Sequence, residues 1–178
     1  VGGREVRTGD LVEMHCPHNL QQSLGQYHLA GPREAELAID AANEAKVAWS
    51  EMEWSSRATV LLRAAELLAG KYRQTLNAAT MLCMSKNVHQ AEIDSACEMI
   101  DFWRWNPYFM TEVYDDQPVS TQTVLNYMEH RPLEGFVFAV SPFNFTSIAG
   151  NLPTAPALMG NAVIWKPASS AVLPAYYV

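Results

Sequence analysis

The 178-residue chain carries 12 Lys and Arg against 19 Asp and Glu, a formal charge of −7, with 49% hydrophobic and 17% charged residues. That composition is globular and water-facing, and the absence of a basic stripe argues against a nucleic-acid surface. No apolar run approaches the ~20 residues of a membrane-spanning helix, so neither nucleic acid nor membrane is an expected partner. Three scattered cysteines, Cys16, Cys83 and Cys97, are too few for a disulfide framework and point to a reducing compartment. The start, Val1-Gly-Gly-Arg-Glu, has no signal-peptide pattern and no initiator Met, which leaves a removed targeting segment open.

Residues 1–30 mix turn residues with β-prone runs, and Val1–Val6 and Leu11–Met14 are expected as strands joined by Thr8-Gly9-Asp10. His15-Cys16-Pro17-His18, with His28 further on, fits no standard zinc spacing and is expected as a surface loop, so no metal is assigned. Pro32 sits where a first helical turn begins, and Leu37, Ala38, Ala41, Ala45, Ala48 and Trp49 recur at helical spacing. Ser55 or Ser56 is placed to cap a second helix through Leu68, and Gly70 to separate it from a third, Tyr72 to Met84. Lys86 and His89 stand without a visible nucleophile partner.

A long helix is expected from Val88 to Trp105, ended or kinked by Pro107, which has no backbone N–H to donate. On it, Ile93, Ala96, Cys97 and Ile100 form an apolar face, with Cys97 as a buried small hydrophobe, while Glu92, Asp94, Glu98 and Asp101 are candidates for the wet face. Val124–His130 alternates as a strand does. Two strand–helix units follow: Phe136–Val140 into a helix around Ile148–Met159, and Ala162–Trp165 into a helix from about Ser170.

These last two units carry the chemistry. In an open α/β sheet, ligands bind beyond the carboxyl ends of parallel strands, and Asn144 and Lys166 fall near those ends. An amide donor and a cation on one rim suit a substrate and a nucleotide side by side. Read alone, Asn144 is better explained as satisfying turn backbone, and Lys166 as an ordinary solvated lysine. Asn144-Phe-Thr146 is also a formal glycosylation sequon, which the apolar flanks and sparse cysteines disfavour.

Ser141-Pro-Phe-Asn-Phe145 and Gly160-Asn-Ala-Val-Ile-Trp-Lys-Pro167 resemble the paired signatures of the aldehyde dehydrogenase superfamily. Pro132-Leu-Glu-Gly-Phe136, Ala155-Pro-Ala-Leu-Met-Gly-Asn161, Gln90-Ala-Glu-Ile-Asp94 and Ile100-Asp-Phe-Trp-Arg104 are most similar to its glutamate-γ-semialdehyde (Δ1-pyrroline-5-carboxylate) dehydrogenases. The resemblance implies an α/β fold: N-terminal strands and helices over 1–121, an oligomerisation-type strand over 122–134, and the incomplete start of a Rossmann-like NAD-binding sheet over 135–178. It gives Asn144 the role of oxyanion donor. Lys166 would contact the adenosine ribose, with Ser141, Pro142, Phe143 and Pro167 beside the cofactor. Glu98 would meet the substrate ammonium, and Phe145 would wall the aldehyde channel. Pro167-Ala168-Ser169 departs from the family's common Pro-Ser at this point, so Ser169 or Ser170 would take over that contact or it would be lost.

The implied activity is oxidation of L-glutamate γ-semialdehyde to L-glutamate with NAD⁺, the second step of proline breakdown. The full protein would be a homo-oligomer, in the cytoplasm of a bacterium or the mitochondrial matrix of a eukaryote. In the family the catalytic cysteine and general-base glutamate follow the Lys-Pro signature, and none of the three cysteines here matches that motif. The last helix has no stop signal and the sheet is unfinished, so the chain is expected to be part of a larger enzyme and inactive alone. Rival readings are another semialdehyde dehydrogenase, a module of a bifunctional proline-oxidising protein, and a short non-catalytic protein that binds a partner through its open apolar edge.

Overall fold

The computed structural model describes residues 1–178. Val1–Val6 forms no strand. The first two strands are instead β1 (Leu11–Cys16) and β2 (Asn19–His28), an antiparallel hairpin with irregularities after Met14 and His15. The loop expected at His15–His18 is the end of β1 and the hairpin turn. Cys16 is buried there, with His18 Nε2 3.2 Å from its sulfur.

Helix α1 (Pro32–Glu51) opens with Pro32 at its first position, and the Glu34 carboxylate accepts from the Gly31 N–H at 2.9 Å. Helix α2 (Trp54–Leu67) is not capped by Ser55 or Ser56. The Glu53 carbonyl accepts from the N–H groups of Ser56 and Arg57 at 2.9 and 3.2 Å. Gly70 breaks nothing: a π-helical turn, Leu68–Tyr72, carries α2 into α3 (Arg73–Met84). A single glycine costs a helix only about 1 kcal/mol, and the burial of Leu68 and Leu76 on either side outweighs that.

The helix does stop at Ser85, whose φ of 53° is left-handed. Asn87 then starts α4 (Val88–Ala91) with a reciprocal capping box to Gln90. A wide π segment, Glu92–Glu98, leads into α5 (Met99–Asp115). The π segment changes which residues face inward: Asp94, Ser95 and Ala96 are buried, whereas Ile93 and Cys97 are exposed. The apolar face expected through Ile93 and Cys97 is therefore not the one used.

Helix α5 also runs through Pro107 instead of ending there. Trp103, Pro107 and Met110 lie on one buried stripe, and their packing offsets the ~3 kcal/mol that an interior proline costs. Trp103 and Met110, together with Ala58, Leu61 and Ala65 of α2, Met99 and Ile100 of α5, and Leu158, belong to the main core.

Val124–His130 joins no strand ladder, and 118–134 is largely exposed. Its two arms are tied mainly by side chains. Asn126 Nδ2 donates to the Val119 carbonyl at 2.9 Å, and the Met128 N–H donates to Gln117 Oε1 at 2.7 Å. Then come β3 (Val137–Val140), α6 (Thr146–Leu158), β4 (Val163–Lys166), a 3₁₀ turn (Ser169–Ala171) and α7 (Val172–Tyr177). Strands β3 and β4 are parallel neighbours, with α6 as their crossover.

Candidate functional site

The register of the two parallel strands sets the site. Val137 pairs with Val163 and Val140 with Lys166, so both strands end at the same edge. The Ser141 N–H donates to the Lys166 carbonyl at 3.2 Å, one residue beyond the ladder. Trp165 Nε1 donates to Ser141 Oγ at 2.9 Å, and Ser141 is buried. From that anchor the chain turns through Pro142, Phe143, Asn144 and Phe145 before α6 begins. Phe143 and Asn144 are exposed on this turn. The Lys166 ammonium is also exposed and lies 3.0 Å from the carbonyl of Pro167, without a carboxylate partner.

The far end of the turn is held by residues from the helical half. Helix α6 has Phe145 at its cap position, which offers no side-chain acceptor. The carboxylate of Asp94, from the π segment, takes that place. Its Oδ2 accepts from the Thr146 N–H and its Oδ1 from the Ser147 N–H, each at 2.9 Å. Asp94 is buried, and Lys86 Nζ neutralises it at 2.7 Å. The same ammonium donates to the Asn144 carbonyl at 2.6 Å and lies 4.4 Å from the Phe145 ring centroid. This bond uses the backbone of Asn144 and not its side-chain amide. Thr146 Oγ1, the hydroxyl that a sequon must present along with Asn144, is buried 2.8 Å from Thr80 Oγ1.

Glu98 lies one turn beyond Asp94 and accepts from Ser147 Oγ at 2.8 Å. It opens onto a groove of about 650 Å³ shared with Asp101, Phe102, Trp105, Asn106, Phe109 and Ile148. Two carboxylates beside three aromatic rings suit a cation, through charge and through the ring faces. Glu98 and the Asn144 turn thus meet through Ser147, whereas Phe145 does not line the groove. Behind the site, the π segment is clamped to α3. The Arg73 guanidinium and the Asn77 amide hold the Glu92 carboxyl below its ordinary range, with Arg73 Nε at 2.9 Å and Asn77 Nδ2 at 2.5 Å. Burial pushes the Cys83 thiol up, which disfavours its thiolate. Cys97 is exposed near Arg73 and Glu92, away from the Asn144 turn.

The sequence leaves Lys86 without a partner and puts Asp94 among the wet-face candidates, whereas the structure buries Asp94 and pairs it with Lys86. The available signal was an acid three residues after Ala91 and five before Met99, inside a buried stripe. Its partner at position 86 lies across a helix break and could not be paired by periodicity.

Both parallel strands thus end at one edge, and in open α/β sheets that carboxyl edge is where ligands bind. The chain matches the aldehyde dehydrogenase family over residues 5–178 and belongs to it. It is 48% identical, over 179 aligned residues, to a probable Δ1-pyrroline-5-carboxylate dehydrogenase of Schizosaccharomyces pombe, covering 100% of this chain and 33% of that protein. It is 45% identical over 178 residues to the mitochondrial Δ1-pyrroline-5-carboxylate dehydrogenase of Mus musculus, covering 100% of this chain and 32% of that protein. The crystal structure of the Mycobacterium tuberculosis Δ-pyrroline-5-carboxylate dehydrogenase bound with NAD superimposes with a TM-score of 0.97 at 50% identity, covering 99% of this chain and 33% of that one. The chain therefore spans about a third of the length of the relatives it matches, and its fold is that of the N-terminal portion of an aldehyde dehydrogenase.

Proposed function

We propose that this chain supplies the N-terminal part of an NAD-dependent dehydrogenase that oxidises L-glutamate γ-semialdehyde to L-glutamate. The observation that carries the reading is the parallel pairing of Val140 with Lys166, which brings the Asn144 turn and the Lys166 ammonium to one strand edge. Residues 135–178 would form the start of the cofactor sheet, 1–121 the N-terminal strands and helices, and 122–134 an oligomerisation arm. The rival of a short partner-binding protein explains neither the shared edge nor the likeness along the whole chain.

The residues at this edge fit a dinucleotide. An ammonium with three donors and no carboxylate partner suits ribose hydroxyls, and Phe143, 67% exposed, gives an apolar surface beside it. Ser141, Pro142 and Pro167 would frame the same edge. When bound, NAD⁺ supplies the hydride acceptor. Asn144 would point its amide at the aldehyde oxygen and stabilise the charge that develops there on nucleophilic attack. Phe145 would exclude water from the reacting carbon. Glu98 would hold the substrate's α-ammonium, with Asp101 and the aromatic groove behind it. The attacking cysteine and the general base would come from the remainder of the protein, since Cys16 and Cys83 are buried and Cys97 lies off the site. The assembled protein would be a homo-oligomer in the bacterial cytoplasm or, as the name of the Mus musculus relative has it, in mitochondria.

NADH formation by the full-length protein with the semialdehyde is the direct test. Glu98→Ala should raise KM for glutamate γ-semialdehyde by about 10-fold or more, the weight of a charge-assisted hydrogen bond. KM for an aliphatic aldehyde without an ammonium should stay within about 2-fold, since it forms no such bond. Equal effects on both substrates would remove Glu98 from the substrate site.

A further inference from the structure

We infer that Lys86 and Asp94 form a positioning pair for the Asn144 turn, fixing the oxyanion amide through its own backbone. The inference rests on the reading of Asn144 given above. Helix α6 begins at a residue that cannot cap it, so two of its first N–H groups are satisfied by a carboxylate 52 and 53 residues earlier in the chain. That carboxylate is 3% exposed and needs a cation beside it. Lys86 serves, and its 15% exposure marks it as largely withdrawn from water.

Neutralising Asp94 and capping α6 would leave the turn itself free. The third contact goes further: the same ammonium grips the Asn144 carbonyl at 2.6 Å and lies over the Phe145 ring. Cap, counter-charge and turn are thus locked by one cation. The lysine can reach all three because Ser85, held in a left-handed conformation, breaks the helix just before it. His18 Nδ1 lies 2.9 Å from Ser85 Oγ and ties that break to the β1–β2 hairpin. An oxyanion donor is effective only if its direction is fixed before the reaction starts, and misplacement by about 1 Å can cost ~100-fold in rate.

In the full-length enzyme, Lys86→Met should lower kcat by about 10- to 100-fold, and KM for NAD⁺ should change by a smaller factor than kcat, because Lys166 is untouched and only Phe143 of the cofactor side loosens. Lys86→Arg keeps a cation over the ring and should recover kcat to within about 5-fold of the parent. The backbone of Phe143–Phe145 should also become mobile in Lys86→Met, read as lowered ¹⁵N order parameters. A folded Lys86→Met protein with parental kcat would overturn the inference, as would a Lys86→Arg variant no better than Lys86→Met. If the unaltered enzyme does not oxidise the aldehyde, the functional reading fails by itself. The order parameters then decide the pair separately: unchanged values in Lys86→Met reject it, and lowered values retain it as the clamp of this turn.

Discussion

Asn144 sits on the surface with its carbonyl engaged by Lys86 and its side-chain amide in no hydrogen bond, so the residue can be altered without touching the fold. The Lys86 contact is made to the carbonyl, which any residue at 144 provides. Asn144→Ala in the full-length enzyme should therefore leave the thermal midpoint nearly unchanged. It should lower kcat by about 10²–10³-fold, the usual loss for one oxyanion donor. Steady-state NADH formation alongside a melting curve separates the two effects, and a parental kcat would remove Asn144 from the reaction. The type and spacing of Asn144 and Lys166 were legible in the sequence because both follow short β-prone runs that end at a proline. Lys86 and Asp94 were not legible, because what joins them is contact across 8 residues of chain containing a helix break, and across 52 more to Thr146.

Among the elements, the π segment Glu92–Glu98 decides most. An ordinary α-turn there would present Ile93 and Cys97 to the core, the pattern that periodicity favours. The wider turn instead brings Asp94 inward and leaves Glu98 facing the groove. Arg73, Asn77 and Ser95 hold this segment on α3, with Ser95 Oγ donating to Asn77 Oδ1 at 2.6 Å. Because the folded state holds the Glu92 carboxyl below its ordinary value, this clamp contributes stability above about pH 4.3, the free carboxylate range. The contribution is lost as pH falls through the depressed folded value. Glu92 is 37% exposed, so screening limits the gain to under about 1 kcal/mol. Glu92→Gln should lower the urea midpoint slightly at pH 7, with the two proteins converging in acid. A difference that grows on acidification would contradict the assignment. Pro107 and Gly70 teach the same lesson at lower stakes. Local propensity marks both as helix breakers, yet a long buried stripe and an intervening π turn carry the helices through.

Across the whole molecule, apolar surface is left open in three places. The arm at 118–134 exposes Val119 at 86% and Leu125 at 77%. The aromatic rings of Trp105, Tyr108 and Phe109 cluster on the outer face of α5. Strands β3 and β4 form a two-stranded parallel sheet, with Phe138 and Val140 exposed. Parallel sheets are normally buried on both faces, and unpaired strand edges invite association. The isolated 178-residue chain should therefore self-associate, with a sedimentation coefficient that rises with concentration, and Leu125→Lys should weaken this. A concentration-independent monomer would mean that these surfaces are tolerated in water.

The sequence by itself determined the order of helices, the two strand–helix units and the position of Asn144 and Lys166 near strand ends, because these depend on periodicity and turn chemistry within about 15 residues. Only the tertiary structure decided which face of the Glu92–Glu98 segment turns inward, which acid caps α6, and that Val124–His130 stays outside any ladder of this chain. Those outcomes depend on buried charge finding its partner and on packing between distant segments, and neither leaves a local pattern to read.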